Sequence, residues 1–433
     1  MILDGWSMNS TNKQPDRAEL VSRYWSGALA LLLGVSYRLW LPGAWTQSEF
    51  YPAVPLFGVP SWLGTFVTVS LMPLLMVGCG VVFFSGRNGM LRRTGWLAIA
   101  VMLLLGFATD QHRLQPWAYQ SFLYACLFVL LPSSLWLTAL RVLMISVYLY
   151  SSIGKFDFQF LHTVGQDFLG TVTRWTPVDI SQWDHRTRLI AAGGFPAVEL
   201  LLAILLVFPR TRRGGGVLAI TMHFGLIVIL SPWGMHHSLG VLCWNAVLAG
   251  QAYLLFVMPE HAKPDEVHGT TQRDESMAGR SVRVMLASVI VLAAVVLPLT
   301  ERRGRYDQAN WRWDHWLSWA LYSPHNSRVS VEVHRRVIAE MPLGLRDALR
   351  DGDDQDAWRE FDLGALSLQA RGVPVLPQAR YQLKLAIAIA EQQGWSHEIR
   401  GVLRSCSDRW DGTREEEWMN QLDAMRNVVA KYW

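Results

Sequence analysis

Lys155 and Asp157 stand two residues apart in SSIGKFDFQF (151–160), directly after the apolar run LTALRVLMISVYLY. An ammonium group and a carboxylate at the end of an apolar helix have two readings. In the first, Lys155 is interfacial: its stem lies along apolar surface and its amine reaches water. In the second it sits in a dry pocket, where burial disfavours the charged form and leaves a neutral amine as base or nucleophile. Asp157 opposes the second reading if it pairs with the amine, but at i+2 on a helix the two side chains point to different faces. Gly154 leaves room for another backbone or a flat ligand to approach closely.

Other polar residues also fall in or beside apolar runs, where they are costly and usually face a cavity or a partner. Glu199 lies in FPAVELLLAILLVF and reads first as a structural carboxyl. His223, in LAITMHFGLIVIL, is a satisfied core histidine or a proton relay. Asp110, His112, Gln120, His236 and His237 lie near the ends of apolar runs. The pair His236-His237 lacks a third ligand at fixed spacing, so no metal site is read there. No HExxH, P-loop, GxSxG or Rossmann glycine pattern occurs. Trp117, Trp136, Trp233 and Trp244 mark span ends as an interfacial belt, or line a pocket for a flat ring.

The elements that must position these residues are membrane helices. The 433-residue chain is 51% hydrophobic with 21 Trp, and its 17% charged residues fall below the soluble average of about 25%. Apolar stretches near 20 residues predict nine spans, at 25–41, 62–84, 94–109, 117–131, 135–153, 189–208, 215–231, 238–258 and 282–299. Residues 1–24 read as a cytoplasmic tail, 25–258 as an eight-helix domain, and 259–281 as a cytoplasmic linker to the ninth helix. Residues 300–433 read as a small extracytoplasmic α+β domain. Within it RVSVEVH (328–334) and 398–406 are predicted strands, and 379–393 and 413–432 predicted helices.

Basic residues set the orientation. Lys13, Arg17, Arg23, Arg87, Arg92, Arg93, Arg210, Arg212 and Arg213 flank alternate loops, whereas 42–61 and 232–237 carry no Lys or Arg. This places the N-terminus in the cytoplasm and the C-terminus outside, in a bacterial inner membrane or its equivalent. Asp110, His112, Gln120, Lys155, Asp157, His236 and His237 are then expected to share one outward-facing pocket. The lipid bilayer is the expected surrounding, and without a basic run nucleic acid is not an expected partner.

Three stretches resemble the HTTM (horizontally transferred transmembrane) domain family, which includes vitamin K-dependent carboxylases: YLYSSIGKFDFQF (148–160), WAYQSFLYACL (117–127) and VELLLAILLVFPRTRRGGGVLAITMH (198–223). The resemblance implies Lys155 as base toward a quinol, with Gln120 and His223 as further catalytic positions. The quinol is then expected in the outward-facing pocket, against His112, Trp117, Asp157, His236 and His237. The resemblance also implies a vitamin K-like hydroquinone, oxygen and carbon dioxide as cofactors, and an extracytoplasmic protein or peptide as substrate. Gln120 departs from the histidine of that family and cannot transfer a proton as imidazole does. The expected fold is therefore mostly α: a polytopic bundle of about nine helices with a C-terminal α+β domain. The expected activity is lyase and oxidoreductase chemistry on a lipophilic quinone. Its rivals are a non-catalytic membrane scaffold and a quinone-linked redox or maturation partner resembling DoxX-type proteins.

Overall fold

A computed structural model describes residues 16–86, 88–259, 277–301, 314–350 and 356–433. Helices occupy all nine apolar runs: α1 Arg17–Val35, α2 Ser61–Phe84, α3 Gly89–Thr109, α4 Pro116–Leu130, α5 Ser133–Lys155, α6 His185–Val207, α7 Arg212–Leu230, α8 Leu239–Ala252 and α9 Met277–Val296. A π turn prolongs α8 to Val257 and a 3₁₀ turn prolongs α9 to Thr300. Seven of these segments are long and apolar enough to cross a membrane; α1 and the 15-residue α4 are not. The bundle and its apolar exterior make this an integral membrane protein.

Helix α1 starts eight residues before the predicted span because the charges of its first turns are paired rather than solvated. The Asp16 carboxylate caps it by accepting from Ala18 N at 3.3 Å. Glu19 pairs with Arg92 at 3.0 Å, and Ser22 accepts from the Trp96 indole at 2.9 Å. Arginines close helix ends whose last carbonyls have no partner within the helix. Arg23 and Arg92 both donate to Gly86 O at 2.8 Å, Arg17 to Leu254 O at 2.6 Å and Arg141 to Leu255 O at 2.8 Å. These bonds gather the basic residues at the end of the bundle opposite the C-terminal domain. Of the predicted linker, residues 260–276 lie outside the described residues, and 277–281 are already helical.

The α2–α3 hairpin is closely packed. At Gly95 an added Cβ would sit 2.8 Å from Val82 Cγ2 and 3.2 Å from Gly78 O. Small residues at such crossings let backbones approach where lipid gives no hydrophobic drive to associate.

The C-terminal domain is an antiparallel sheet backed by helices. Strands β1 Arg328–His334, β2 Trp358–Phe361, β3 Ile399–Arg404 and β4 Glu416–Met419 lie in the order β2-β1-β3-β4. Val331 faces Phe361 on one side and Gly401 on the other. Val331, Val333, Phe361, Ile399, Leu403 and Met419 bury one face against helices α10 Leu363–Arg371, α11 Ala379–Gln393 and α12 Leu422–Tyr432. The other face carries cross-strand pairs Arg400–Glu332 and Arg404–Glu416. The single helix predicted over 413–432 is corrected to β4 followed by α12. Buried residues recur at helical spacing only from Leu422 through Met425, Val428 and Tyr432, while Glu416–Met419 completes the β3 edge.

The segment 314–327 and the 41–60 loop join this domain to the bundle. Tyr51 OH meets Tyr381 OH at 3.0 Å, Arg371 donates to Tyr51 O at 3.0 Å, and Gln392 to Glu49 O at 3.1 Å. From the 314–327 segment, Ser323 Oγ lies 2.7 Å from where a Cβ on Gly154 would be. Gly154 thus admits the Ser323 side chain, not the close backbone or flat ligand expected of it; the nearest backbone atom, Ala320 Cα, lies 3.7 Å from the same point.

Gly95→Val should force α2 and α3 apart and lower stability by about 1–3 kcal/mol. A detergent melting curve identical to that of the unaltered protein would contradict the close crossing.

Candidate functional site

A cavity of about 350 Å³ lies where α5–α8 meet the C-terminal domain, and the 314–327 segment forms its roof. Its walls are mainly apolar. Polar atoms enter it from Lys155, Glu199, His223 and Tyr148 on the bundle and from His315 and Tyr322 on the roof. Two roof residues hold a backbone conformation that bulky side chains rarely adopt: Trp319 and Tyr322 both have φ of 58°. Each costs about 1–3 kcal/mol and persists only where packing over-determines it. Trp319 is buried against Tyr119 at 5.2 Å, and Tyr322 packs between Phe168 and His237.

Lys155 lines the cavity, but its amine is fully engaged by protein partners. Its Nζ donates to Glu199 Oε1 at 2.6 Å, Glu199 Oε2 at 2.7 Å and Ser151 Oγ at 2.8 Å. An ammonium has three donors and no acceptor, so this set uses all of them. Both carboxylate oxygens of Glu199 are engaged by the same amine. The interfacial reading of Lys155 is corrected as well, since the residue is only 3% exposed. Ser151 comes from the same helix, four residues earlier, where a hydroxyl lies directly beneath the lysine.

His223 is equally committed. Its Nε2 lies 2.8 Å from Tyr148 OH and its Nδ1 3.0 Å from Asn245 Oδ1. Asn245 Nδ2 donates to Val241 O at 3.0 Å, which makes its Oδ1 the acceptor and gives His223 the Nδ1–H tautomer. Gln120 belongs to a separate network. It accepts from Trp244 Nε1 at 3.1 Å and donates to Tyr124 OH at 3.1 Å, and Gln251 completes the set.

His112 is not at the cavity. It lies under the C-terminal domain, with Nε2 donating to Pro374 O at 3.0 Å and its ring between Tyr51 and Tyr381. Asp110 stands beside it and accepts from His112 N at 3.1 Å. Asp157 caps the short helix Phe158–His162 by accepting from Phe160 N at 2.9 Å, away from the lysine. His236 is exposed, whereas His237 and Trp117 line the cavity. The expected single pocket is therefore dispersed: the cavity, the Gln120 network, the Asp110–His112 pair and Asp157 are separate, and His236 is exposed. Lys155 and His237 share the cavity with Trp117, Glu199 and His223; Gln120 and His112 each belong elsewhere. Tyr148, Ser151, Asn245, Tyr322, His315, His325 and Glu301 were not singled out. Asn245, a carboxamide inside LGVLCWNAVLAG, was the clearest signal passed over.

The apolar lining accepts a flat ring and an acyl chain equally well, so it does not select the expected quinol. Residues 133–244 match the family described as Methylamine utilisation protein MauE. That match runs from α5 into α8 and covers roughly a quarter of the chain. It overturns the HTTM and carboxylase resemblance, whose lysine motif lies inside the matched segment. No curated protein and no solved structure matches the chain.

Burial pushes His112 from its ordinary pKa near 6.5 down to about 4; Arg371 and Arg113 act in the same direction, against Asp110 and the Pro374 carbonyl. The undocked chain therefore binds more protons than the docked one between about pH 6.5 and 4, so docking weakens as pH falls through that window. The effect approaches about 3 kcal/mol at its lower edge. Limited proteolysis should show the C-terminal domain losing protection over that range, and His112→Gln should flatten the profile. An unchanged profile in that variant would remove His112 as the responsible group.

Proposed function

We propose that this chain is a non-catalytic membrane partner, a bundle that holds its α+β domain rigidly at the membrane surface for another protein to use. The observation that carries this reading is the commitment of Lys155, whose three donors are all held by Glu199 and Ser151. A base must offer a lone pair to its substrate, and this amine is held as an ion pair. The satisfied environments of His223 and Gln120 support the same reading. The matched family's name ties its protein to methylamine utilisation. The partial match supports a membrane-bundle role here and does not extend to that compound.

Neutralising one member of a buried ion pair leaves an uncompensated charge, at a cost of about 3–5 kcal/mol, whereas replacing both with apolar residues of similar volume is often neutral. Lys155→Met and Glu199→Leu should each destabilise the protein strongly. The double variant should recover stability to within about 1 kcal/mol and complement a deletion strain. A stable double variant that fails to complement would restore a chemical role to the pair.

We place the C-terminal domain outside the cytoplasm, because Arg17, Arg23, Arg92, Arg141 and Arg212 lie at the opposite end of the bundle. His397 is exposed, so a cysteine introduced by His397→Cys should react with an impermeant maleimide in intact spheroplasts. Labelling only after lysis would invert the topology.

A further inference from the structure

Glu301, His315 and His325 converge where the last membrane helix hands over to the C-terminal domain. Glu301 follows the turn that ends α9, and the two histidines come from the roof segment. One carboxylate oxygen serves both rings: Glu301 Oε1 lies 2.6 Å from His315 Nδ1 and 2.9 Å from His325 Nε2. The rings stand edge to face with centroids 4.9 Å apart, and the donor atoms of all three residues lie within 4.8 Å of one another. Both histidines are buried, and the Glu301 side chain is 12% exposed.

We propose that these three side chains bind a divalent transition-metal ion of the zinc class. Two imidazole nitrogens and a carboxylate oxygen form a mixed donor set suited to such an ion, and leave a further position for water or a ligand. A second observation separates this cluster from an incidental hydrogen-bonded group. The nitrogen of His325 that faces away from Glu301, Nδ1, lies 3.8 Å from Asp157 Oδ2, and the Asp157 side chain is fully buried. Histidines that ligate metals commonly present their other ring nitrogen to a carboxylate, which fixes ring orientation and raises basicity. At 3.8 Å Asp157 is an ion-pair neighbour rather than a hydrogen-bond partner, placed to take that outer position as a positioning residue. Its own place is set by capping the helix that follows α5.

The ion would tie three parts of the chain together: the end of α9, the roof of the cavity and the segment after α5. His315 also lines the cavity. This inference goes beyond the scaffold reading and stands independently of it, since a metal staple needs no catalytic lysine.

The test uses the full chain purified in detergent without a histidine tag and stripped with chelator. Equilibrium dialysis against Zn²⁺, followed by elemental analysis, should return about one ion per chain. Co²⁺ should give the visible absorption of a tetrahedral site, displaced by Zn²⁺. The His315→Gln/His325→Gln variant keeps side-chain hydrogen-bond donors toward Glu301 and should lose both signals. Asp157→Asn should keep the site but weaken Zn²⁺ binding about 10–100-fold. Absence of stoichiometric Zn²⁺ in the unaltered protein would overturn the proposal. So would equal binding by the His315→Gln/His325→Gln variant, because the exposed histidines would then account for it. Should that variant fail to fold, the cobalt spectrum of the unaltered protein decides: no tetrahedral band means no site.

Discussion

The Lys155–Glu199 ion pair is the constraint around which the membrane end of this protein is arranged. Two charges removed from both water and lipid headgroups must satisfy each other fully, since hydrocarbon offers them nothing. The pair locks α5 to α6 at the level where the C-terminal domain docks, and it fixes the floor of the cavity. The same logic extends outward. Tyr148, His223 and Asn245 close one polar set, and Gln120, Tyr124, Trp244 and Gln251 close another. Each set joins different helices, so the polar residues specify which helices are neighbours where apolar packing alone would be permissive.

Much of the architecture is legible in the sequence because bilayer thickness imposes a length on every span. All nine apolar runs are helices, and the alternation in RVSVEVH is a strand. The helix 379–393 lies between Gln378 and a left-handed Gly394. Where the reading fails, the cause is pairing that sequence distance conceals. Charges at 17–23 look like a solvated tail until Arg92, Gly86 and Leu254 supply their partners. Residues 416–419 look helical until β3 offers an edge.

The site is legible in a different sense. Intramembrane polar residues identify themselves by their cost, and Lys155, Glu199 and His223 do meet at one cavity. Their roles are not legible, because a role depends on the partner across the gap. The same lysine can be a base beside apolar walls or one half of an ion pair beside a carboxylate. Only the position of Glu199, 44 residues later on a facing helix, separates the two. The short likeness around Lys155 led toward carboxylases for the same reason: its stretches include both Lys155 and Glu199, but residue patterns do not show that the two are paired.

The clasp between the C-terminal domain and the 38–51 region has a consequence for how the molecule is made. Its contacts join residues more than 300 positions apart: Arg38 with Gln369, Tyr51 with Tyr381, Glu49 with Gln392. A growing chain inserts its first helices long before their covering domain has been synthesised. Through that interval Tyr51, Asp110 and His112 stay wet, and the cavity has no roof. Closure of such distant contacts is slow and comes last. Quality control that senses exposed polar surface at the membrane therefore has a long window in which to act. A chain truncated after its ninth helix would remain in that window indefinitely.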